Sequence, residues 1–255
     1  FTAYLPDEEQ VYLRNYLLLD DTGTDIEDVL EENNGKTVKV MFKRNFKKGV
    51  WSTICLPTEY SPIHFGSNTQ MEELSSAEIT ADGICTLHFK KVIFLYCKPG
   101  KSYLIKPETI NDNGIYNFGD ATTVSNEIKP TELTIDGTNA TIKFCGTFGR
   151  KMLGKNEDGA DEYFIQDNKI LHVADGQQIK MNGFRCYITA NKTAATALSK
   201  ARIVHSDGTT TDLRLVEVGS SADGSQRVYN LQGMEQGSES QQHGVYIKGG
   251  RKYVK

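Results

Sequence analysis

The sequence predicts an all-β protein: an antiparallel β-sandwich, with a jelly-roll or barrel-like arrangement as the alternative, that has a short N-terminal helix and a C-terminal β-hairpin tail. Apolar and polar residues alternate in many short segments, such as residues 38–42, and this period of two is typical of half-buried strands. Asp-Gly and Asn-Gly pairs, among them Asp82-Gly83 and Asn182-Gly183, supply the positive φ that tight hairpin turns require. The segments recur roughly every 8–12 residues without strand–helix alternation, which favours a sandwich or barrel over a parallel sheet.

The one helix that the sequence predicts lies near the start of the chain. Ile26, Val29 and Leu30 follow the i, i+3, i+4 spacing of an amphipathic helix. Thr24 or Asp25 precedes them as the capping residue. Strands are then predicted at residues 38–42, 50–56, 71–79, 84–92, 102–106, 131–136, 140–146, 162–166, 169–173, 184–189, 201–205 and 211–218, and the tail at 227–233 and 244–255.

Three regions follow from these patterns. Residues 1–35 form a lead-in, which would also fit the end of a preceding region, and residues 36–218 form the β-sandwich body. A small polar linker, residues 219–226, then opens the C-terminal β tail, residues 219–255.

Composition excludes several classes of protein. The chain has 29 Lys and Arg residues against 33 Asp and Glu, a formal net charge of −4, so no basic excess indicates nucleic acid as a partner. The longest clean apolar run, residues 92–97, is far shorter than the ~20 residues that a membrane-spanning helix needs. The five cysteines include no Cys-x-x-Cys pair and lie mostly in apolar stretches, which favours buried thiols and leaves one disulfide open.

The motifs predict no catalytic residue and no metal ligand. Residues 149–156 come close to the phosphate-binding pattern Gly-x4-Gly-Lys-[Ser/Thr], but Asn156 replaces the magnesium-binding hydroxyl. The histidines show no paired metal spacing, and no Gly-x-Ser-x-Gly elbow occurs. Residues 20–28 and 156–162 carry oxygen ligands of the calcium type without the ordered spacing of a calcium loop. We therefore expect no cofactor, with calcium as the lesser alternative.

One polar segment with alternating aromatic residues is the candidate ligand-binding site. Tyr116 and Phe118 follow a turn-forming run of Asn111, Asp112 and Asn113. Exposed aromatic rings beside amide and carboxylate groups are suited to binding a glycan. In the alternative interpretation, the same aromatic side chains plug one end of the sandwich and belong to the core.

The end of the chain resembles a known family of tails. Constrained positions fall there in order: Tyr229, Asn230, Leu231, Gly233, Gly244, Tyr246, Gly250, Val254 and Lys255. This pattern resembles the C-terminal tail of exported and surface proteins of Bacteroidetes-type bacteria, which runs Tyr-Asn-Leu-x-Gly, a spacer, Gly-Ile-Tyr-Ile and a closing Val-Lys. Tyr253 departs from it, because an aliphatic residue is usual there. The resemblance implies a sorting domain of the type IX secretion route.

The body resembles the same proteins more loosely. Residues 51–57 are similar to their Trp-Asn-Thr-Leu-Cys-Leu-Pro strand, and residues 99–107 to their Gly-Lys-Pro-Tyr-Leu-Ile-Lys-Pro strand. The resemblance covers about residues 36–255 and implies a secreted or cell-surface β protein. It implies the export machinery as a partner through the tail. If the chain is a binding module, we expect a host or dietary glycan or a surface protein as its ligand.

These expectations combine into one functional hypothesis with two rivals. The chain is expected to be a noncatalytic adhesion or carbohydrate/protein-binding module. The rivals are a structural scaffold domain of a larger surface protein and a polysaccharide-acting enzyme. A groove with exposed aromatic residues favours the binding module, two carboxylates facing each other across a cleft favour the enzyme, and smooth faces favour the scaffold.

Overall fold

Strands dominate the structure, a computed structural model, and confirm the all-β class. It describes residues 16–81, 83–93, 95–154, 161–166, 169–173, 178–191, 194–195, 198 and 201–212, and the strands at 216–218, 228–230, 235–236, 245–248 and 251–254. The chain divides into two compact units, residues 1–219 and residues 220–255.

The helical elements are α1 (Ile26–Asn33) and a short 3-10 helix (Pro62–Phe65). The strands are β1 (Tyr16–Asp20), β2 (Thr37–Lys43), β3 (Ser52–Ile54), β4 (Gln70–Ile79), β5 (Cys85–Lys91), β6 (Tyr103–Lys106), β7 (Ile115–Thr123), β8 (Thr131–Thr134), β9 (Thr141–Thr147), β10 (Lys151–Leu153), β11 (Asp161–Gln166), β12 (Lys169–Val173), β13 (Ile179–Met181), β14 (Arg185–Ala190), β15 (Ala201–Val204), β16 (Thr210–Asp212), β17 (Val216–Val218), β18 (Val228–Asn230), β19 (Glu235–Gln236), β20 (Val245–Lys248) and β21 (Arg251–Val254).

Two six-stranded sheets form most of the first unit. Their strand orders are β16-β15-β5-β4-β6-β3 and β17-β12-β11-β14-β9-β8. Their apolar faces share one core, in which the rings of Phe89 on β5 and Phe144 on β9 meet edge-on with centroids 5.7 Å apart. On β14, Cys186, Ile188 and Ala190 are buried and alternate with half-buried residues, as expected for a strand with one face in a sandwich core.

A smaller sheet has the order β1-β2-β7 and contains a parallel pair, as does each of the six-stranded sheets, in which β5 pairs with β15 and β12 with β17. β1 and β2 are parallel neighbours joined through α1, so residues 16–43 form a β-α-β unit. Leu19, Ile26 and Leu30 are buried in the shared core, and this part of the lead-in is therefore packed with the body. Asp25 occupies the predicted N-cap position, but its side chain makes no capping hydrogen bond.

The segment with the candidate aromatic residues is a strand, β7, which is absent from the strands that the sequence predicts. β7 pairs antiparallel with β2, and the register shifts between Lys39 and Met41. Gly119 lies opposite this irregularity with φ +76°, and its N–H donates to Asn117 Oδ1 at 2.8 Å. The residues that look like loop formers in the sequence therefore build a bulge within a strand.

The second unit contains a four-stranded sheet in the order β19-β18-β20-β21. β20 and β21 form the antiparallel hairpin expected at the C-terminus, with Tyr246 opposite Tyr253. Of the tail pattern, four residues lie in strands: Tyr229, Asn230, Tyr246 and Val254. The other five lie outside the described residues: Leu231, Gly233, Gly244, Gly250 and Lys255.

All five cysteines are buried and unpaired, which agrees with the interpretation as small apolar side chains. Burial raises the pKa of the Cys97 and Cys186 thiols to about 12. These thiols are therefore protonated and unreactive at neutral pH. None of the described helices has the length and the apolar character that a membrane span requires.

A buried arginine ties β2 to the sandwich. Arg44, directly after β2, donates from Nη2 to Ser52 Oγ at 2.6 Å and from Nη1 to the carbonyl oxygens of Thr53 and Phe184. Its guanidinium lies over the ring of Phe46, 4.3 Å from the centroid. Burial lowers the pKa of Arg44, but a guanidinium keeps its proton in proteins. The positive charge is therefore stabilised by these oxygens and by the ring of Phe46.

A second buried polar cluster joins β4 to the turn after β15. Glu72 accepts hydrogen bonds from His205 Nδ1 at 2.7 Å, from Ser206 N–H at 2.9 Å and from Ser206 Oγ at 2.7 Å. Trp51 stacks on His205 with an interplanar angle of 7° and a centroid distance of 4.5 Å. Both carboxylate oxygens are therefore used to hold this turn on the sheet.

We expect Glu72→Gln to lower the free energy of unfolding by about 2–4 kcal/mol, because the amide leaves buried donors without an acceptor. The matched control is Glu78→Gln, since Glu78 lies on the same strand and binds His88 at 3.2 Å in an exposed pair. That change should cost less than about 1 kcal/mol. Urea unfolding followed by circular dichroism measures both, and equal losses would contradict the role of the buried cluster.

Candidate functional site

The structure separates the five residues of the candidate site. Asn111, Asp112 and Asn113 lie exposed in a tight turn, where Asn113 Oδ1 accepts the N–H of Ile115 at 3.0 Å. Tyr116 and Phe118 point inward from β7 and are only 1% and 5% exposed. The two rings therefore do not form an exposed platform beside the amides, and the core interpretation describes Tyr116 better.

Phe118 does, however, form part of the floor of a groove with a volume of about 600 Å³. The groove runs between β7, the segment that leads into the 3-10 helix and the segment before Cys97. Its lining residues are Glu59, Tyr60, Ser61, Pro62, Ile63, His64, Ser67, Leu95, Tyr96, Phe118, Asp120, Ala121 and Thr122. This volume lies within the usual range of ligand sites.

Stacked rings form the floor of the groove. Phe118 stacks against His64 at a centroid distance of 4.7 Å and against Tyr60 at 5.9 Å. Behind them, Phe65 and Tyr116 continue the aromatic cluster into the core, 4.8 Å apart. The floor is therefore the outer layer of the core and has little freedom to move.

Three exposed apolar side chains form the rim. Ile63 is 63% exposed, Leu95 79% and Tyr96 53%. A bridge between Tyr60 and Cys97 holds the two sides of the rim together, with Cys97 N–H donating to the Tyr60 carbonyl at 2.7 Å. Large apolar side chains this exposed and this close to one concavity are typical of a binding surface.

The capping of the 3-10 helix fixes the orientation of His64. Ser61 Oγ accepts the N–H of Ile63, while His64 Nδ1 accepts the N–H of Ser61 at 3.3 Å. With Nδ1 used as an acceptor, the neutral ring carries its proton on Nε2. Burial lowers the pKa of His64, which opposes the charged form at neutral pH.

The formal charge of the groove is negative. Glu59 and Asp120 are the charged side chains among its lining residues, which include no Lys or Arg. Both carboxylates are exposed, and His64 adds no charge at neutral pH. The groove therefore combines an apolar rim with two acidic groups and favours a ligand that is apolar in part and not anionic.

The Ser206 hydroxyl donates to Glu72 at 2.7 Å. Its proton therefore points to a carboxylate and not to the histidine nitrogen that a serine nucleophile needs as its base. In the part of the chain that the structure describes, no group of three or more His, Cys, Asp or Glu side chains is placed to hold a metal ion.

The two loops considered for calcium have different outcomes. In residues 20–28, Asp20 is paired with Lys43 and Asp21 with Arg185, each at 2.9 Å, so these carboxylates already have cationic partners. Most of residues 156–162 lie outside the described residues.

Sequence reasoning missed most of the groove. Its signal was the apolar run at residues 92–97, of which the structure describes 92, 93 and 95–97 outside the sheets, with Ile93, Leu95 and Tyr96 exposed. Glu59 and His64 carried no motif, because their approach to β7 depends on the fold.

We expect the stability of the protein to fall as pH drops below about 6.5, in part because His64 must stay neutral to accept the Ser61 N–H. The pKa of His64 is lowered in the folded protein, whereas the same histidine in the unfolded chain keeps its ordinary pKa of 6.5. Below pH 6.5 the unfolded chain therefore binds more protons than the folded protein, and acid favours unfolding. His64→Asn keeps an acceptor without a titrating ring and should lose less stability between pH 7 and pH 5. His88→Asn, at a half-buried histidine outside the groove, is the control, and parallel pH profiles of wild type and His64→Asn would refute the assignment.

Comparisons of the chain with protein families, with curated proteins and with solved structures found no match.

Proposed function

We propose that the chain is an exported, surface-associated, noncatalytic binding module whose ligand lies in the groove between β7 and the 3-10 helix. The tail resemblance supports the location, and the groove supports the binding role. The observation that carries the proposal is the exposed rim of Ile63, Leu95 and Tyr96 around a rigid aromatic floor. Covering one such side chain contributes about 1–2 kcal/mol to a complex.

The rival functions have less support. A scaffold has no need for an apolar rim around a concavity. An enzyme acting on polysaccharide would need a carboxylic acid shielded from water, whereas Glu59 and Asp120 are both exposed. The expected ligands remain a host or dietary glycan or a surface protein.

We expect Tyr96→Ala to lower the affinity for any ligand of the groove by roughly tenfold, because truncation of an interface aromatic typically costs more than 1 kcal/mol. The test is a screen of the chain against a glycan array and host-matrix proteins, followed by affinity measurements on each hit. Met152→Ala is the matched control, since Met152 is an exposed apolar residue that does not line this groove. Hits that ignore Tyr96→Ala, or no hits at high protein concentration, would argue against the proposal.

The tail is proposed to act as the sorting signal. Deletion of residues 219–255 should abolish surface display while the body is still made, because the export machinery would lose the domain that it recognises. Display is measured by protease accessibility on intact cells. A chain with residues 228–255 in scrambled order keeps the length and composition and serves as the control. Unchanged display of the chain that lacks residues 219–255 would exclude this role.

A further inference from the structure

One edge of β7 pairs with no described strand, and this edge indicates which class of ligand the groove binds. We propose that the ligand is an extended peptide segment with alternating basic and apolar side chains, which pairs with β7 as an added strand. The inference rests on the proposed function, because it requires the groove to be the ligand site.

β7 is an edge strand in the described part of the chain. It pairs with β2 on one side, in the sheet order β1-β2-β7, and no described strand pairs with its other side. In an antiparallel strand, alternate residues direct their N–H and C=O groups away from the partner strand, and at an edge these groups are available. Strand addition at such an edge is a recurrent mode of peptide recognition.

The groove meets this edge rather than one face of the sheet. Asp120, Ala121 and Thr122 are consecutive in β7, and all three line the groove. Successive side chains of a strand point to opposite faces, so a concavity that contacts three in a row must run along the edge. An extended peptide advances about 3.3 Å per residue, so a few residues in line span this stretch.

The other walls favour apolar and basic side chains. An added strand presents alternate side chains to opposite directions, so one set can cover Leu95 and Tyr96 while the other faces the carboxylates. Glu59 and Asp120 give the lining a formal charge of −2, which complements Lys or Arg. The exposed nearby lysines, Lys91 and Lys98, are not among the lining residues.

A glycan fits these observations less well. Sugar rings stack on exposed aromatic faces, and Tyr96 is the one lining aromatic residue with more than half of its surface exposed. Tyr60 and Phe118 are buried, and their rings stack against each other and His64. A strand edge adds nothing to sugar stacking but is well suited to a peptide backbone.

The experiment uses the full chain and two matched libraries of acetylated hexapeptides, in which Thr, Val, Ile or Tyr alternates with Lys in one library and with Glu in the other. We expect binders in the Lys library alone. For the best of them, the double variant Glu59→Gln/Asp120→Asn should weaken binding by about tenfold at low salt and less at high salt. Glu32→Gln/Asp136→Asn, which changes the net charge equally at two exposed residues outside the groove, should leave binding unchanged.

Backbone pairing is tested on the same peptide by N-methylation of alternate amides, in two versions of opposite parity. One version should lose binding by at least tenfold and the other should retain it, because only every second N–H faces β7. Lack of binders in the Lys library, or equal tolerance of both methylation patterns, would overturn the inference. If a glycan binds in a Tyr96-dependent manner and no peptide does, the proposed function stands and this inference is wrong. If Tyr96→Ala affects no ligand, both are wrong.

Discussion

The guanidinium of Arg44 is the constraint on which the arrangement of the body depends. A buried positive charge is tolerated only where hydrogen-bond acceptors surround it, and those of Arg44 come from Ser52, Thr53 and Phe184. The last of these is more than 130 residues away along the chain. The fork geometry of the group fixes β2 against β3 and the start of β14, which a lysine in the same place would not do.

The groove follows from this arrangement. Arg44 lies over Phe46, and Phe46 continues through Phe65 and Tyr116 into the aromatic cluster whose outer member is Phe118. The floor is therefore an extension of the core, and only the rim and the two carboxylates are free to vary without loss of packing. A rigid floor lowers the entropy cost of binding, since few side chains remain to be ordered.

The sequence predicts the fold where the signal is local. Residues 169–173 match β12 because period-two alternation and flanking turns depend on neighbours alone. The sequence patterns miss β7, because Asn117 and Gly119 form a bulge there and interrupt the alternation. They also miss the β-α-β unit, because Leu19 lies in a strand within the region that the sequence predicts as a lead-in. Two features of the structure join segments that are distant in the chain: the pairing of Glu72 with His205 and the approach of Glu59 to Asp120. No local pattern in the sequence predicts them.

The bulge in β7 has a further consequence for behaviour at high concentration. A bare strand edge invites a second copy to add to it, and repetition of that step leads to fibres. Here the backbone bends at Gly119, so two such edges placed side by side would differ in curvature. The next residue is Asp120, so antiparallel pairing centred there would place two carboxylates opposite each other. The bulge and the carboxylate thus discourage polymerisation through the edge of β7 that no described strand covers.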